Sequence, residues 1–113
     1  MQKCCLIIPC YNESERILEV EFLDFVKENP NFTLLFVNDG SSDNTSVLLQ
    51  KLSEKHLQII ILSLSKNVGK AEAVRTGMLY SKNLEFDYVG YWDADLSTPL
   101  SESIRFISFF NSS

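Results

Sequence analysis

Short apolar runs alternate with longer amphipathic stretches along the chain, and this alternation constrains the fold more than any other feature. The first apolar runs are continuous rather than alternating with polar residues, which is typical of parallel strands covered on both faces. Four strands are predicted, at residues 4–9, 33–38, 57–64 and 88–95. Because helices separate them, the sequence predicts an α/β fold with an open, mostly parallel Rossmann-like sheet of about four βα units.

The stretches between these strands carry apolar residues at helical spacing. The first helix is predicted to start after Asn12 or Ser14, either of which could cap it, and to stop at Pro30. The second is predicted to have Ser42 or Asp43 as its cap. The apolar faces of the second and third helices are predicted to be Val47, Leu48 and Leu52, and Ala71, Val74, Met78 and Leu79, respectively.

Length and composition indicate one globular domain of 113 residues, of which 45% are hydrophobic and 22% charged. The net charge of -5 argues against charge-driven binding to nucleic acid or to an anionic membrane surface. An anionic ligand would therefore need a local source of positive charge.

Three cysteines, Cys4, Cys5 and Cys10, lie in or next to the first predicted strand. An odd number with two adjacent does not make a disulfide framework, so we expect buried, reduced thiols and a cytoplasmic protein. The apolar run that ends at Pro9 is too short for the core of a signal peptide or for a membrane span.

Polar residues follow every predicted strand, at the end where ligands bind to open α/β sheets. They are Tyr11, Asn12 and Glu13 after the first strand, Asn38 and Asp39 after the second, Asn67, Gly69 and Lys70 after the third, and Asp93 and Asp95 in the fourth. Because the carboxyl ends of parallel strands meet at one edge of the sheet, the sequence predicts that these side chains gather along a single rim.

Two carboxylates separated only by Ala94 repel each other unless a cation or a proton compensates them. In an extended backbone, Asp93 and Asp95 would point to the same side. Mg²⁺ or Mn²⁺ suits such oxygen ligands, typically one or two carboxylates together with substrate phosphates. The alternative is a solvated turn or a helix cap.

Two further positions could contact an anionic ligand. Asp39 comes directly off a strand end and can accept hydrogen bonds from a base N–H or from a hydroxyl. The start of the helix after Gly69 can present N–H groups to an anion, with Lys70 or Arg75 adding charge, although the chain lacks a complete dinucleotide or phosphate loop. The alternatives are a turn with a helix cap at the first position and a helix start with a solvated lysine at the second.

Four segments carry a resemblance to family 2 glycosyltransferases in their order and spacing: IIPCYNE, FVNDGSSDNT, NVGKAEAVRTG and DADLSTP. The similarity runs from about Leu6 to Pro99 and looks closest to the polyprenyl- and dolichyl-phosphate glycosyltransferases. It implies a GT-A fold, with residues 1–113 forming the nucleotide-sugar-binding half and the acceptor half lying beyond Ser113.

The resemblance also implies roles for the matching residues. The nucleotide pocket would be lined by Pro9, Tyr11, Asn12 and Glu13, with Asp39 at the base. Asp93 would lie beside the ribose or diphosphate, and Asp95 would coordinate the metal. Asn38 stands where many family members have a further aspartate.

The implied reaction is an inverting, metal-dependent transfer of a sugar from a UDP- or GDP-sugar to a polyprenyl phosphate or a glycan hydroxyl. A hydroxyl acceptor needs a general base, and none is evident in these 113 residues, whereas a lipid phosphate is already ionised. We therefore expect residues 1–113 to be inactive alone. The full-length protein would act in the cytoplasm, at the inner face of a membrane if its acceptor is a lipid.

Other classes stay open on the sequence alone: a receiver-like regulatory module and a non-catalytic nucleotide-binding module. A receiver uses an acidic pair after its first strand, where this chain offers only Glu13. A nucleotidyltransferase is a nearer rival, but the glycine-rich basic loop that it needs after the first strand is missing.

The last residues predict self-association. A further helix is expected from Leu100, and its apolar residues need a surface to cover them: Ile104, Phe106, Ile107, Phe109 and Phe110. An open sheet edge adds unpaired backbone groups that a second copy could pair with.

Overall fold

The structure is a computed structural model that describes residues 2–13, 17–96 and 98–104. Its elements are β1 (Cys4–Cys10), α1 (Glu19–Glu28), β2 (Phe32–Asp39), α2 (Thr45–Lys55), β3 (Ile59–Leu64), α3 (Lys70–Ser81) with a 3-10 turn at Lys82–Leu84, and β4 (Tyr88–Tyr91). The four strands form one parallel sheet in the order β3-β2-β1-β4. The predicted open, parallel α/β fold is confirmed.

The strand order bears on one of the alternatives. The order 3-2-1-4 is that of a Rossmann-type sheet, whereas receiver-type sheets follow the order 2-1-3. The topology therefore argues against a receiver-like module. None of the helices within the described ranges is long and apolar enough to cross a membrane.

The two central strands are buried on both faces, which explains their continuous apolar sequence. Successive side chains of a strand point to opposite faces. Leu6 and Ile8 of β1 join the core that contains the apolar faces of α1 and α2, whereas Ile7 packs in the smaller core with Ala73 of α3. The three cysteines are buried free thiols of this strand, as expected.

Burial sets the chemistry of these thiols. It is the main cause that raises the pKa of all three, and it brings the pKa of Cys5 to about 12. Neighbouring negative charge adds to the effect, from Glu13 in the case of Cys10. The thiolate, which is the nucleophile and metal ligand, is therefore suppressed at neutral pH.

The starts of the first two helices differ from the predictions. Helix α1 begins only at Glu19, and Asn12 does not cap it because its side chain binds the loop before α2 instead. Ser14 lies outside the described residues. Asn44 occupies the N-cap position of α2, where its side chain makes no capping bond, while Asp43 Oδ1 accepts a hydrogen bond from the amide of Thr45 (2.9 Å).

The predicted start of the third strand and one position of α2 are also wrong. Strand β3 begins at Ile59, and Leu57, two residues before it, is 96% exposed. On α2, Val47 faces solvent, and Leu49 takes the buried position next to Leu52. Leu48 packs against the core from a half-buried position, as predicted.

Helix α3 packs through small residues, so its predicted apolar face is wrong. The buried positions are Ala73, Gly77 and Ser81, spaced four residues apart, while Met78 and Leu79 of the predicted face are exposed. A Cβ at Gly77 would lie 2.7 Å from Cγ2 of Ile7 and 3.0 Å from Cγ2 of Val37. The helix therefore lies so close to the sheet that only small residues fit between them. Ala71 is likewise exposed, and Val74 is half-buried.

Candidate nucleotide-binding site

Two adjoining clefts open at the carboxyl end of the sheet. The first, of about 250 Å³, is lined by Glu13, Lys70, Asp93 and Asp95 together with Pro9 and Ala94, and we call it the diacid cleft. The second, of about 360 Å³, is lined by Tyr11, Asp39, Asn67 and Gly69 together with Pro9, Glu13 and Lys70, and we call it the Asp39 cleft. Because they share three residues, the clefts form one continuous rim. Of the residues predicted for this site, Pro9, Tyr11, Glu13, Asp39, Lys70, Asp93 and Asp95 line it, whereas Asn12, Asn38 and Arg75 do not.

The Asp93 to Asp95 segment is a turn, not the end of a strand. Strand β4 stops at Tyr91, and the amide of Leu96 donates to the carbonyl oxygen of Asp93 (3.1 Å), which closes the turn. Ala94 is only 4% exposed and packs into the core, so the turn is anchored between the two acids. The predicted extended geometry is wrong, but both carboxylates line one cleft as expected.

Lys70 supplies positive charge directly beside the acidic pair. Its Nζ lies 2.6 Å from Oδ1 of Asp93 and 5.6 Å from the centre of the Tyr91 ring. The hydrogen bond to Asp93 is the main cause that raises the pKa of Lys70. In this structure the cation next to the acidic pair is therefore a lysine ammonium group.

Arg75, the other predicted source of charge, is engaged elsewhere. Its guanidinium group donates to the carboxylate of Glu72, with the shorter distance 2.6 Å, on the exposed surface of α3. Arg75 lines neither cleft.

Asp39 is buried and holds the loop that precedes α3. It is only 2% exposed, and its Oδ1 accepts a hydrogen bond from the amide of Val68 (2.8 Å). Its Oδ2 accepts from the amide of Gly69 (3.0 Å) and from Nδ2 of Asn67 (3.0 Å). Since Gly69 is the N-cap residue of α3, Asp39 fixes where that helix begins. Contact between Asp39 and a base stays a prediction.

Gly40 brings the same two loops into contact. Its φ of +66° lies in the left-handed region that favours glycine. A Cβ there would lie 2.4 Å from the amide nitrogen of Asn67 and 2.4 Å from the carbonyl carbon of Lys66. The loop after β2 therefore touches the backbone of the loop after β3.

Asn12 and Glu13 follow β1 and take different positions. The Oδ1 of Asn12 accepts from the amide of Ser42 (2.8 Å), so this predicted pocket residue ties two loops together and lines neither cleft. Glu13 lines both clefts, and its amide donates to Oγ1 of Thr45 (2.9 Å). Its Oε2 is buried without a hydrogen-bond partner among the described residues. An orphaned buried acceptor is costly, and a ligand hydroxyl or N–H would satisfy it.

The amide of Asn38 is structural. It is only 4% exposed, its Nδ2 donates to Oγ of Ser46 (2.7 Å) and its Oδ1 accepts from the amide of Ser41 (3.4 Å). An ionised carboxylate has no hydrogen to donate, so an aspartate could keep the first of these contacts only if the hydroxyl of Ser46 became the donor.

Sequence reasoning did not include Asn67 and Cys10 among the ligand-binding residues, although both line the Asp39 cleft. A signal existed for Asn67, because it follows a strand end and stands two residues before Gly69. No pattern marked Cys10, which belongs to the buried strand β1.

The donor atoms in the diacid cleft suit a divalent cation that a ligand helps to hold. No group of three or more His, Cys, Asp or Glu side chains that could bind a metal occurs in the described parts of the chain. Mg²⁺ is usually bound by one or two carboxylates plus substrate phosphates and water. Asp93 and Asp95 provide two such hard oxygen donors on one cleft, so the residues fit.

Comparison with known proteins identifies the family. The family model described as "Glycosyl transferase family 2" matches residues 5–111. The chain belongs to glycosyl transferase family 2. This confirms the family that the four motifs resemble.

Curated relatives of this family 2 chain include a dolichyl-phosphate beta-glucosyltransferase of Trichomonas vaginalis, 39% identical over 104 residues. They also include the poly-beta-1,6-N-acetyl-D-glucosamine synthase of Staphylococcus aureus (strain COL), 37% identical over 89 residues. The first alignment covers 85% of this chain and 30% of the relative, and the second 79% and 21%. The chain thus spans less than a third of the length of these two relatives.

Solved structures confirm the expected GT-A type of fold. The mannosyltransferase PcManGT from Pyrobaculum calidifontis, in complex with GDP-Man and Mn²⁺, superposes with a TM-score of 0.67 at 25% identity, over 82% of this chain and 27% of that one. S. aureus TarS 1-349, in complex with UDP, gives a TM-score of 0.66 at 24% identity, over 95% and 32%.

Proposed function

We propose that the protein transfers a sugar from a nucleoside-diphosphate donor to an acceptor, with inversion at the anomeric carbon and with the help of a divalent cation. One observation carries the proposal: the diacid cleft and the Asp39 cleft share Pro9, Glu13 and Lys70, so acidic and basic groups line one rim. The family supports it, as do the GDP-Man and Mn²⁺ of one structural neighbour.

The Asp39 cleft would take the nucleoside. The ring of Tyr11 is about half exposed at its wall and offers a flat surface to a base. The orphaned Oε2 of Glu13 would accept a hydrogen bond from a ribose hydroxyl or a base N–H. Asp39, through its bonds to the loop before α3, would hold the far wall in place.

The diacid cleft would take the diphosphate. Lys70 is the cationic side chain that lines it, and an ammonium group on a flexible stem is a common phosphate ligand. Asp93 and Asp95 would hold Mg²⁺ or Mn²⁺, which when bound supplies Lewis-acid stabilisation to the leaving diphosphate. The bound cation would also offset the two negative charges of these carboxylates, which would otherwise repel the anionic donor.

The acceptor would be a polyprenyl phosphate, which the similarity to a dolichyl-phosphate glucosyltransferase supports. A phosphate oxygen is already ionised, so this acceptor needs no general base. The reaction would then take place in the cytoplasm, at the inner face of a membrane. A glycan hydroxyl is the second candidate acceptor, supported by the similarity to a polysaccharide synthase.

Calorimetric titration of the intact protein with UDP-glucose or GDP-mannose in the presence of Mn²⁺ tests donor binding. We expect binding by the wild type and a loss of at least tenfold in Asp95→Ala. Asp24→Ala, which removes an exposed acid of α1, is the matched control and should bind like the wild type. Equal binding by Asp95→Ala and wild type would contradict the proposal.

Turnover separates the enzyme from a non-catalytic nucleotide-binding module. The intact protein is incubated with a donor labelled in the sugar, with Mn²⁺ and with either a polyprenyl phosphate or a glycan. We expect label in the lipid fraction. A protein that binds the donor but transfers no label to either acceptor would support the non-catalytic module instead.

A further inference from the structure

The ion pair of Lys70 and Asp93 joins two side chains that the proposed function requires for other partners. Lys70 Nζ lies 2.6 Å from Asp93 Oδ1, at the distance of a direct charge-assisted hydrogen bond. A divalent cation on that oxygen and an ammonium group at that distance would repel each other. The lysine in this position and a metal on Oδ1 of Asp93 therefore exclude each other.

We propose that Lys70 is a charge-exchange residue. In the ligand-free protein it neutralises Asp93, and when the donor binds it moves to the diphosphate while the divalent cation takes its place on Asp93. This inference rests on the proposed function and adds how its two ligands depend on each other.

The pair is built so that it can separate. The side chains of Lys70 and Asp93 are 58% and 46% exposed, and ion pairs of such exposure are worth little, because water replaces either partner. The Lys70 side chain is a flexible four-carbon stem, so its Nζ can move while the backbone stays still. The exchange therefore needs no rearrangement of the fold.

The backbone of Lys70, in contrast, is held in place. Lys70 is the first residue of α3, directly after Gly69, whose amide donates to the buried carboxylate of Asp39. Lys70 also lines both clefts, so a rotation of its side chain can take Nζ off Asp93 while Nζ stays within the rim, where the diphosphate would lie. The fixed backbone sets the pivot of that movement.

The exchange would make the metal and the nucleotide bind cooperatively. This cooperativity would add to the one that arises because the metal binds the phosphates directly. A cation that arrives alone must displace Lys70 without giving it another partner. A nucleoside diphosphate supplies that partner and releases Asp93. By linkage, each ligand must raise the affinity for the other by the same factor.

Mn²⁺ titration of the intact protein, followed by the electron paramagnetic resonance signal of free Mn²⁺, tests the inference. The titration is made alone and with saturating UDP or GDP. In Lys70→Met we expect Mn²⁺ alone to bind roughly two- to fivefold tighter, because it no longer displaces an ammonium group. We expect the enhancement by the nucleoside diphosphate to fall by at least the same factor. Since Lys70 is exposed, this variant should fold normally.

Lys66→Met is the matched control, because it removes an exposed lysine of the same loop that lines neither cleft. Lys66→Met should change the affinity for Mn²⁺ alone, and its enhancement by the nucleoside diphosphate, by less than twofold each. Equal gains in Lys66→Met and Lys70→Met, no gain in Lys70→Met, or an unchanged enhancement would each overturn the exchange while leaving donor binding intact. A wild type that binds neither Mn²⁺ nor nucleoside diphosphate would instead overturn the proposed function.

Discussion

Replacing the buried carboxylate of Asp39 tests whether its hydrogen bonds hold the loop before α3 in place. Asp39→Asn keeps the size of the side chain but exchanges one acceptor oxygen for an NH₂ group. The carboxylate accepts three hydrogen bonds from donors, namely the amides of Val68 and Gly69 and Nδ2 of Asn67. In either orientation the new NH₂ group faces at least one N–H, so at least one buried bond is lost.

The magnitude follows from these bonds. Hydrogen bonds to charged groups contribute about 1.5–3 kcal/mol each, and a buried donor left alone costs a similar amount. We expect Asp39→Asn to lower the free energy of unfolding by about 2–3 kcal/mol and Asp39→Ala by about 3–5 kcal/mol, less than the full sum because such terms are not additive. Typical total stabilities are about 5–15 kcal/mol, so the loss is large.

Urea unfolding, followed by the fluorescence of Trp92, the single tryptophan, measures the change. With a dependence of about 1–3 kcal/mol per molar urea, the midpoint should fall by roughly 1–5 M in Asp39→Ala. Asp24→Asn, at an exposed position of α1, should leave the midpoint unchanged. If Asp39→Asn unfolds at the wild-type midpoint but loses donor binding, the carboxylate faces the base and does not organise the loop.

Further predictions concern other features of the fold. Gly40→Ala should cost about 2–4 kcal/mol of stability, because its φ is +66° and its Cβ would lie 2.4 Å from the amide nitrogen of Asn67. Gly69→Ala has open space for its Cβ, so it should cost only the backbone strain of a φ of +96° with a ψ of 155°, about 1–3 kcal/mol, and thermal melting compares the two variants. Burial raises the pKa of Cys5 from 9.0 to about 12, so the contribution of its protonated thiol is fully present below pH 9 and is lost as the pH rises towards 12. The free energy of unfolding should fall with pH by at most about 1.4 kcal/mol per pH unit in this range. This pH dependence should be weaker in Cys5→Ser, as urea unfolding at each pH would show. The open edge of β4 predicts self-association, and sedimentation of a clean monomer at high concentration would contradict it.

The strands could be predicted from the sequence because burial on both faces leaves a continuous apolar run. Where that signal weakens, the predictions fail. At the end of β4, the amide of Trp92 still donates to the carbonyl oxygen of Ile7 (2.9 Å), but the backbone turns at Asp93, so the predicted strand runs too far. On α3, hydrophobic periodicity pointed to bulky residues, whereas close approach to the sheet selects small ones such as Gly77.

The rim could also be predicted, because topology alone brings the carboxyl ends of parallel strands together. The partners of each side chain could not. Asp39 binds main-chain amides of Val68 and Gly69, and any sequence has such amides at every position except proline. Only the three-dimensional path of the loop determines which amides reach a given carboxylate.

Helix α3 packs closely against the sheet, and this close packing bears on ligand affinity. Gly77 lies seven residues after Lys70, or about 10 Å along the helix axis. A methyl group at Gly77 would press against Ile7 and push the helix away from the sheet, and the ammonium group of Lys70, the first residue of the helix, would shift with it. A change at Gly77, which lines neither cleft, can thus alter the rim that we propose binds the donor.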